Sequence, residues 1–183
     1  MQINVRTRMI LLLCLATFSK AGIPQDKPAN PATPEARPAD VASIDAIAAA
    51  VYDVISGPAW QKRDWDRMRS LFVPGARLIP VTQAGTSRSA RVLSVEDYIT
   101  RSSAILEKDG FFEREIARRS EKFGDIAQLF STYESRRKAE DPVPFIRGIN
   151  SFQLMNDGKR WWIVTIFWQA ERPDRPIPAE FLK

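Results

Sequence analysis

Glu113 and Glu115 are the side chains whose type and spacing could do acid–base work. Two residues apart in a run that alternates charge with bulk, they fall on one face of a strand, about 7 Å from each other. Such a pair can move protons if burial raises one carboxyl into the neutral range. Arg114, Arg118, Arg119, Glu121 and Lys122 crowd the same run, so ion pairs on a wet face are the simpler expectation. Glu134 has the same two readings: a carboxylate free for chemistry, or the partner of Arg147 across neighbouring strands. Tyr52 stands beside the apolar face of a helix, where its hydroxyl either finds a local partner or faces a ligand. Asn150 and Thr165 are polar residues in apolar strand phases. Burying such groups costs free energy unless they are hydrogen-bonded, so each either ties the fold or meets a ligand.

What is missing narrows the chemistry further. The 183 residues include no His and a single Cys, Cys14. Without imidazole there is no Ser-His-Asp or Cys-His nucleophile and no His-ligated metal. Cys14 sits inside the apolar run Met9–Phe18, which follows Arg6 and Arg8 and precedes the small-x-small site Ser19-Lys20-Ala21. Residues 1–21 therefore read as a signal peptide, and the processed chain is expected to hold no thiol and no thiolate metal site. A lipoprotein anchored through Cys14 is disfavoured because Leu13 stands where a small residue is wanted. The apolar run also falls short of the ~20 residues that span a bilayer. The expectation is an exported protein, periplasmic or secreted, with no transmembrane segment.

Charge points the same way. The chain carries 27 basic and 22 acidic residues, and losing Arg6, Arg8 and Lys20 leaves 24 against 22. So small an excess argues against a nucleic-acid partner. No Gly-rich phosphate loop or Asp-rich metal loop is present, and neither a metal nor a cofactor is expected.

The elements that must position these side chains follow from spacing. Residues 22–42 contain Pro24, Pro28, Pro31, Pro34 and Pro38, a density that suits an extended tether; the domain is expected over 43–183. Ile44, Ile47, Ala48, Val51, Val54 and Ile55 mark one helical face after Ser43. A second helix follows the N-cap Asp64, and a third runs from Ser94 to about Lys108. Between these two, 76–81 reads as a short strand and 83–91 as a polar loop. Strands are then expected over 111–122, 126–136, 145–155 and 160–171, with turns at Gly124 and at Asn156-Asp157-Gly158. Strict alternation on the last strand groups Trp161, Ile163, Thr165 and Phe167 on one face, and Trp162, Val164, Ile166 and Trp168 on the other. Both faces are apolar, so one must pack on helices and the other needs a cover. A second copy of the chain is the simplest. The class is α+β: three N-terminal helices on a strongly curved antiparallel sheet.

Four stretches carry a resemblance. Arg63–Ala76, Gly124–Ala127 with Ile149–Phe152, and Gly158–Ile163 are similar to the first-strand lead-in and sheet of the NTF2-like superfamily, over about residues 43–172. The resemblance implies a cone-shaped fold, and enzymes of that family work at the mouth of the cone, often by proton transfer beside a carbonyl. Steroid isomerases combine a carboxylate base with a Tyr and a protonated Asp. Carried onto this chain, the tyrosine falls on Tyr52, the base near Pro80, which cannot accept a proton, and the second acid on Asn150. Histidine-dependent routes on this fold are excluded.

These readings converge on a cone pocket lined by Tyr52, Trp65, Tyr133, Asn150 and Thr165, with Trp65 and Trp161 read first as core. The expected role is binding of a small, largely apolar molecule by a homodimer. The alternatives are an interaction module using the outer sheet face, or a metal-free isomerase or lyase using Tyr52 with Glu115 or Glu134.

Overall fold

The computed structural model describes residues 33–183. The expected signal peptide and the first part of the expected tether, residues 22–32, lie outside them. Regular structure begins before Ser43, with the helix α1 (Pro38–Val41). Proline at its start suits a first turn. Arg67 holds the turn through two hydrogen bonds to Asp40, of 2.7 and 2.9 Å, and Val41 is buried. This contact joins residues far apart in the chain, which counting prolines does not reveal.

The other helices start where their capping residues lie. Ser43 caps α2 (Ile44–Ile55) by accepting from the Ala46 amide at 3.0 Å. Asp64 caps α3 (Trp65–Leu71) by accepting from Arg67 N at 2.9 Å. Ser94 and Asp97 form a reciprocal capping box on α4 (Val95–Asp109). The buried Arg63 ties two helix ends together, donating to the carbonyls of Ile55 (3.0 Å) and Leu106 (3.0 Å). Those last-turn carbonyls lack partners within their helices, so a guanidinium there serves both. Gly110 follows α4 with φ of +71°, and a Cβ on it would come within 2.6 Å of the Arg137 carbonyl oxygen.

Six strands form one sheet: β1 (Phe72–Ala84), β2 (Ser87–Ala90), β3 (Phe112–Phe123), β4 (Ile126–Arg136), β5 (Ile146–Asn156) and β6 (Trp161–Ala170). Their order is β2-β1-β6-β5-β4-β3. β3 to β6 pair antiparallel as expected, but β1 lies parallel to β6. The sheet is therefore mixed rather than wholly antiparallel. A strand that reaches its neighbour through a helix and four further strands is not bound by hairpin geometry. The stretch expected as a polar loop instead forms most of the β1–β2 hairpin.

Register shifts at Phe72/Arg77, Glu115/Ala117 and Gln153/Leu154 bend the sheet. The last one overturns the strict alternation expected on β6. Opposite Gln153-Leu154, the strand advances from Ile163 to Thr165, and Val164 occupies the extra position. Trp161, Ile163 and Ile166 are consequently buried together, while Phe167 is exposed. Thr165 shares the outward phase of Phe167.

The inner sheet face packs Leu129, Phe152 and Ile163 against Ile47 and Met68, all almost fully buried. On the outer face, the chain's own end supplies part of the cover. A 3-10 turn at Ala179–Phe181 receives a hydrogen bond from Thr132 Oγ1 to the Phe181 carbonyl (2.5 Å). The Phe181 ring lies 5.2 Å from that of Phe130 and 4.9 Å beneath the Arg119 guanidinium. Phe130 and Phe167 remain 40% and 45% exposed. Among the described residues, no helix is long and apolar enough to cross a membrane.

Candidate functional site

The inner face of the bent sheet and the helices enclose a cavity of about 230 Å³. Its walls are apolar: Val51 and Ile55 from α2, Met68 from α3, Leu78 from β1, Ile166 and Trp168 from β6. Its polar groups converge from four elements: Tyr98 of α4, Glu113 of β3, Tyr133 and Ser135 of β4, and Asn150 of β5. An apolar cavity with a few converging polar groups is the usual form of a small-molecule site. On β4, Ala127, Leu129, Ser131, Tyr133 and Ser135 share one buried phase, and the strand shifts from apolar to polar as it enters the cavity. Gly148 makes room for Tyr133, since a Cβ there would lie 2.5 Å from its hydroxyl oxygen. Tyr98 meets Trp168 edge-on, with ring centroids 6.2 Å apart.

Glu113 sets the electrostatics. One carboxylate oxygen accepts from Ser135 Oγ at 2.8 Å and the other from Asn150 Nδ2 at 3.4 Å. No cation forms a salt bridge with it among the described residues. Burial pushes its carboxyl up to about 7, and the bonds from Ser135 and Asn150 hold the rise in check. Burial likewise raises the Tyr98 and Tyr133 phenols, which remain protonated donors at neutral pH. Glu113 also borders a surface cleft of about 430 Å³ lined by Asp53, Ser56, Arg114, Arg136 and Asp141. A carboxyl that is half-ionised near neutrality can accept or return a proton, and the tyrosines can steady charge on a ligand oxygen. Among the described residues, no cluster of His, Cys, Asp and Glu could hold a metal ion.

The expected site residues separate into three groups. Tyr133 and Asn150 line the cavity. Tyr52 lies behind it, its hydroxyl 2.6 Å from Ser131 Oγ and accepting from Asn150 Nδ2 at 3.1 Å, so it has the local partners that one of its two readings expects. The remaining four are elsewhere. Trp65 donates to Glu107 Oε1 at 3.2 Å, between α3 and α4. Thr165 is turned outward by the bulge on β6. Glu115 accepts from Arg118 Nε at 2.9 Å. Glu134 pairs with Arg114 at 2.7 Å and Arg136 at 2.5 Å. Arg147, although opposite Glu134 in register, pairs instead with Glu171 at 2.7 Å. Pro80 sits beside Trp168 on the sheet, its carbonyl accepting from Arg91 N at 3.1 Å.

Sequence reasoning set Glu113 beside Glu115 and did not place it alone in the site; it missed Tyr98, Ser135 and Trp168 altogether. A signal existed for Ser135: Ser131, Tyr133 and Ser135 recur at period two after Leu129, which marks a polar patch on an inward phase. For Tyr98, one aromatic on a largely polar helix gave no such pattern.

No protein-family model matches the chain, and no curated protein does. Among solved structures it is similar to a protein of unknown function with a cystatin-like fold from Nostoc punctiforme: TM-score 0.53 and 14% identity, over 73% of this chain and 91% of that one. A protein from Kribbella flavida has TM-score 0.53 and 12% identity, over 72% and 90%. An NTF2-like protein of unknown function from Methylobacillus flagellatus has TM-score 0.45 and 15% identity, over 71% and 95%. At such identities the likeness is one of fold alone, shared with the Nostoc protein described as having a cystatin-like fold.

Proposed function

We propose that the chain is an exported binding protein that holds a small, largely apolar molecule with one carbonyl or hydroxyl group in the cavity around Glu113. The observation that carries this reading is the composition of the cavity: aliphatic and indole walls, with polar groups gathered at one side. An apolar ligand body gains by leaving water, and its polar group finds Tyr133, Tyr98, Asn150 or Glu113 to bond. Export rests on the basic, apolar and small-x-small segments of residues 1–21. The exposed Phe130 and Phe167 support a homodimer, or another partner, on the outer sheet face.

The test is native mass spectrometry of protein purified from its own host, followed by titration of Trp168 fluorescence with small ketones and alcohols of matching size. A retained molecule, or saturable quenching lost in Asn150→Leu, supports the reading. An empty protein with no saturable quenching across the series ends it.

A second reading is favoured by the raised carboxyl of Glu113. It makes the site a metal-free isomerase or lyase, with Glu113 as the proton acceptor in place of Glu115 or Glu134. Proton exchange beside a ketone carbonyl in deuterated water, abolished by Glu113→Gln, would separate catalysis from simple binding.

A further inference from the structure

Glu113 and Glu115 are joined by an unbroken line of hydrogen bonds that leaves the cavity and ends at the surface. From the cavity outward it runs Glu113, Asn150, Tyr52, Ser131, Glu115 and Arg118. Arg118 also reaches Asp45, which is 88% exposed. The direction of every bond in the line is determined by its outer end. Glu115, paired with Arg118 at 2.7 Å, can only accept, so Ser131 must donate to it. A hydroxyl has one proton; with that proton committed, Ser131 must accept from Tyr52. The Tyr52 oxygen is then free to accept from the Asn150 amide nitrogen. The nitrogen's second N–H reaches Glu113, where it favours the ionised carboxylate.

We propose that the Glu115–Arg118 ion pair is a remote positioning element, fixing which way Asn150 presents its amide to Glu113. This rests on the reading of Glu113 as the polar centre of the cavity. Glu115 touches neither the cavity nor any ligand in it; it acts through three intervening side chains.

Substitution Glu115→Gln reverses the line. Arg118, a donor only, keeps the remaining oxygen of the new side chain and leaves its NH2 facing Ser131. Ser131 then donates to Tyr52, Tyr52 donates to Asn150 Oδ1, and the turned amide presents its oxygen to Glu113. An acceptor beside Glu113 favours the protonated acid. The other groups facing Glu113 stay in place: Tyr52 of α2, Tyr98 of α4, Tyr133 of β4, and Asp53, Arg114, Arg136 and Asp141 around the cleft. Ser131→Ala removes the Tyr52 acceptor while keeping the Glu115 charge, and turns the same amide.

The experiment is a ¹³C NMR titration of the Glu113 carboxyl in the full chain, assigned by its loss in Glu113→Gln. Both variants should move its midpoint up by about one pH unit, a tenfold gain in proton affinity. Adding Glu115→Gln to Ser131→Ala should then move it no further upward. Simple charge removal predicts the opposite sign, because losing a neighbouring anion eases ionisation. An unchanged or lowered midpoint in the folded variants overturns the proposal. Should Glu115→Gln not fold, Ser131→Ala decides alone. The readout needs no ligand, so an empty cavity would leave this test intact, and a failed relay would leave binding untouched.

Discussion

Glu113 and Glu134 sit one rung apart on the β3–β4 ladder and have opposite environments. Glu113 is opposite Ser135 and faces the cavity; Glu134 is opposite Arg114 and faces outward. Glu134 is 8% exposed, yet Arg136 and Arg114 hold its carboxyl below the usual range. Glu113 has neutral partners only and is pushed up to about 7. Desolvation dominates at Glu113, whereas at Glu134 the bonds from Arg136 and Arg114 outweigh a weaker desolvation, so the two carboxyls move in opposite directions. One ladder thus carries an ion-paired carboxylate on one face and an uncompensated one on the other, separated by the alternation of the strand.

Removing the outer member of this contrast should have the largest effect. Glu134→Gln leaves Arg136, with a side chain 12% exposed, without its charge partner, and should cost about 3 kcal/mol in denaturant unfolding near neutral pH. The loss should shrink in acid, because a depressed carboxyl contributes stability above its ordinary titration range and loses it as pH falls through its folded value. A flat pH dependence of this difference would show that the outer pair does not carry its charge as described.

The inner carboxyl should behave in the opposite sense. Its folded value is raised from 4.5 to about 7, so between these pH values the folded state binds the proton that the unfolded chain releases. Stability linked to Glu113 is complete below the ordinary range and is lost as pH rises toward 7. Glu113→Gln carries no such loss. It should match the wild type at pH 4 and exceed it by about 3 kcal/mol at pH 8, as chemical denaturation at the two pH values would reveal. A variant less stable than wild type at pH 8 would contradict the environment assigned to Glu113.

Next in size is the spacing that keeps Tyr133 on the inner side. Gly148→Ala would set a Cβ 2.5 Å from both the Tyr133 hydroxyl and the Gln169 carbonyl oxygen. Backbone on one side and a packed ring on the other leave little room to yield, so a loss of about 1.5 kcal/mol in thermal or denaturant unfolding is expected. Gly148→Ala should also weaken any ligand whose polar group relies on Tyr133. Equal stability with unchanged binding would mean that Tyr133 has a second resting place.

How much of this contrast could be read beforehand depends on range along the chain. Helix starts were legible because Ser43, Asp64 and Ser94 act within three residues of themselves. The four later strands were legible from period two and from the turns at Gly124 and Gly158. Asn150 stood out because a polar group on an apolar strand phase is costly unless hydrogen-bonded, and it lines the cavity. The parallel pairing of β1 with β6 was not legible, because no local pattern encodes the partner of a strand that returns across the domain. The bulge at Val164 hid Thr165 in the same way: an extra residue reverses the phase without changing the composition. Glu113 and Glu115 looked equivalent because their difference comes from Arg118 and Ser135, one near in sequence and one on another strand.

The smallest predicted effect tests whether Glu113 and Glu115 communicate through α2. Tyr52→Phe removes one hydroxyl from the line between Glu113 and Glu115, leaving Ser131 and Asn150 each without one bond. The loss of a buried hydroxyl with its ring retained should cost about 1 kcal/mol in thermal unfolding. Ring packing should survive, since Tyr52 meets Phe152 edge-on at 6.1 Å through carbon atoms that phenylalanine keeps. With no hydroxyl in the line, Glu115→Gln can no longer turn the Asn150 amide. In the Tyr52→Phe background, Glu115→Gln should therefore lose its upward effect on the Glu113 carboxyl. An undiminished upward shift would mean that Glu115 reaches Glu113 by a path that avoids α2, and that the two carboxylates are coupled along β3 itself.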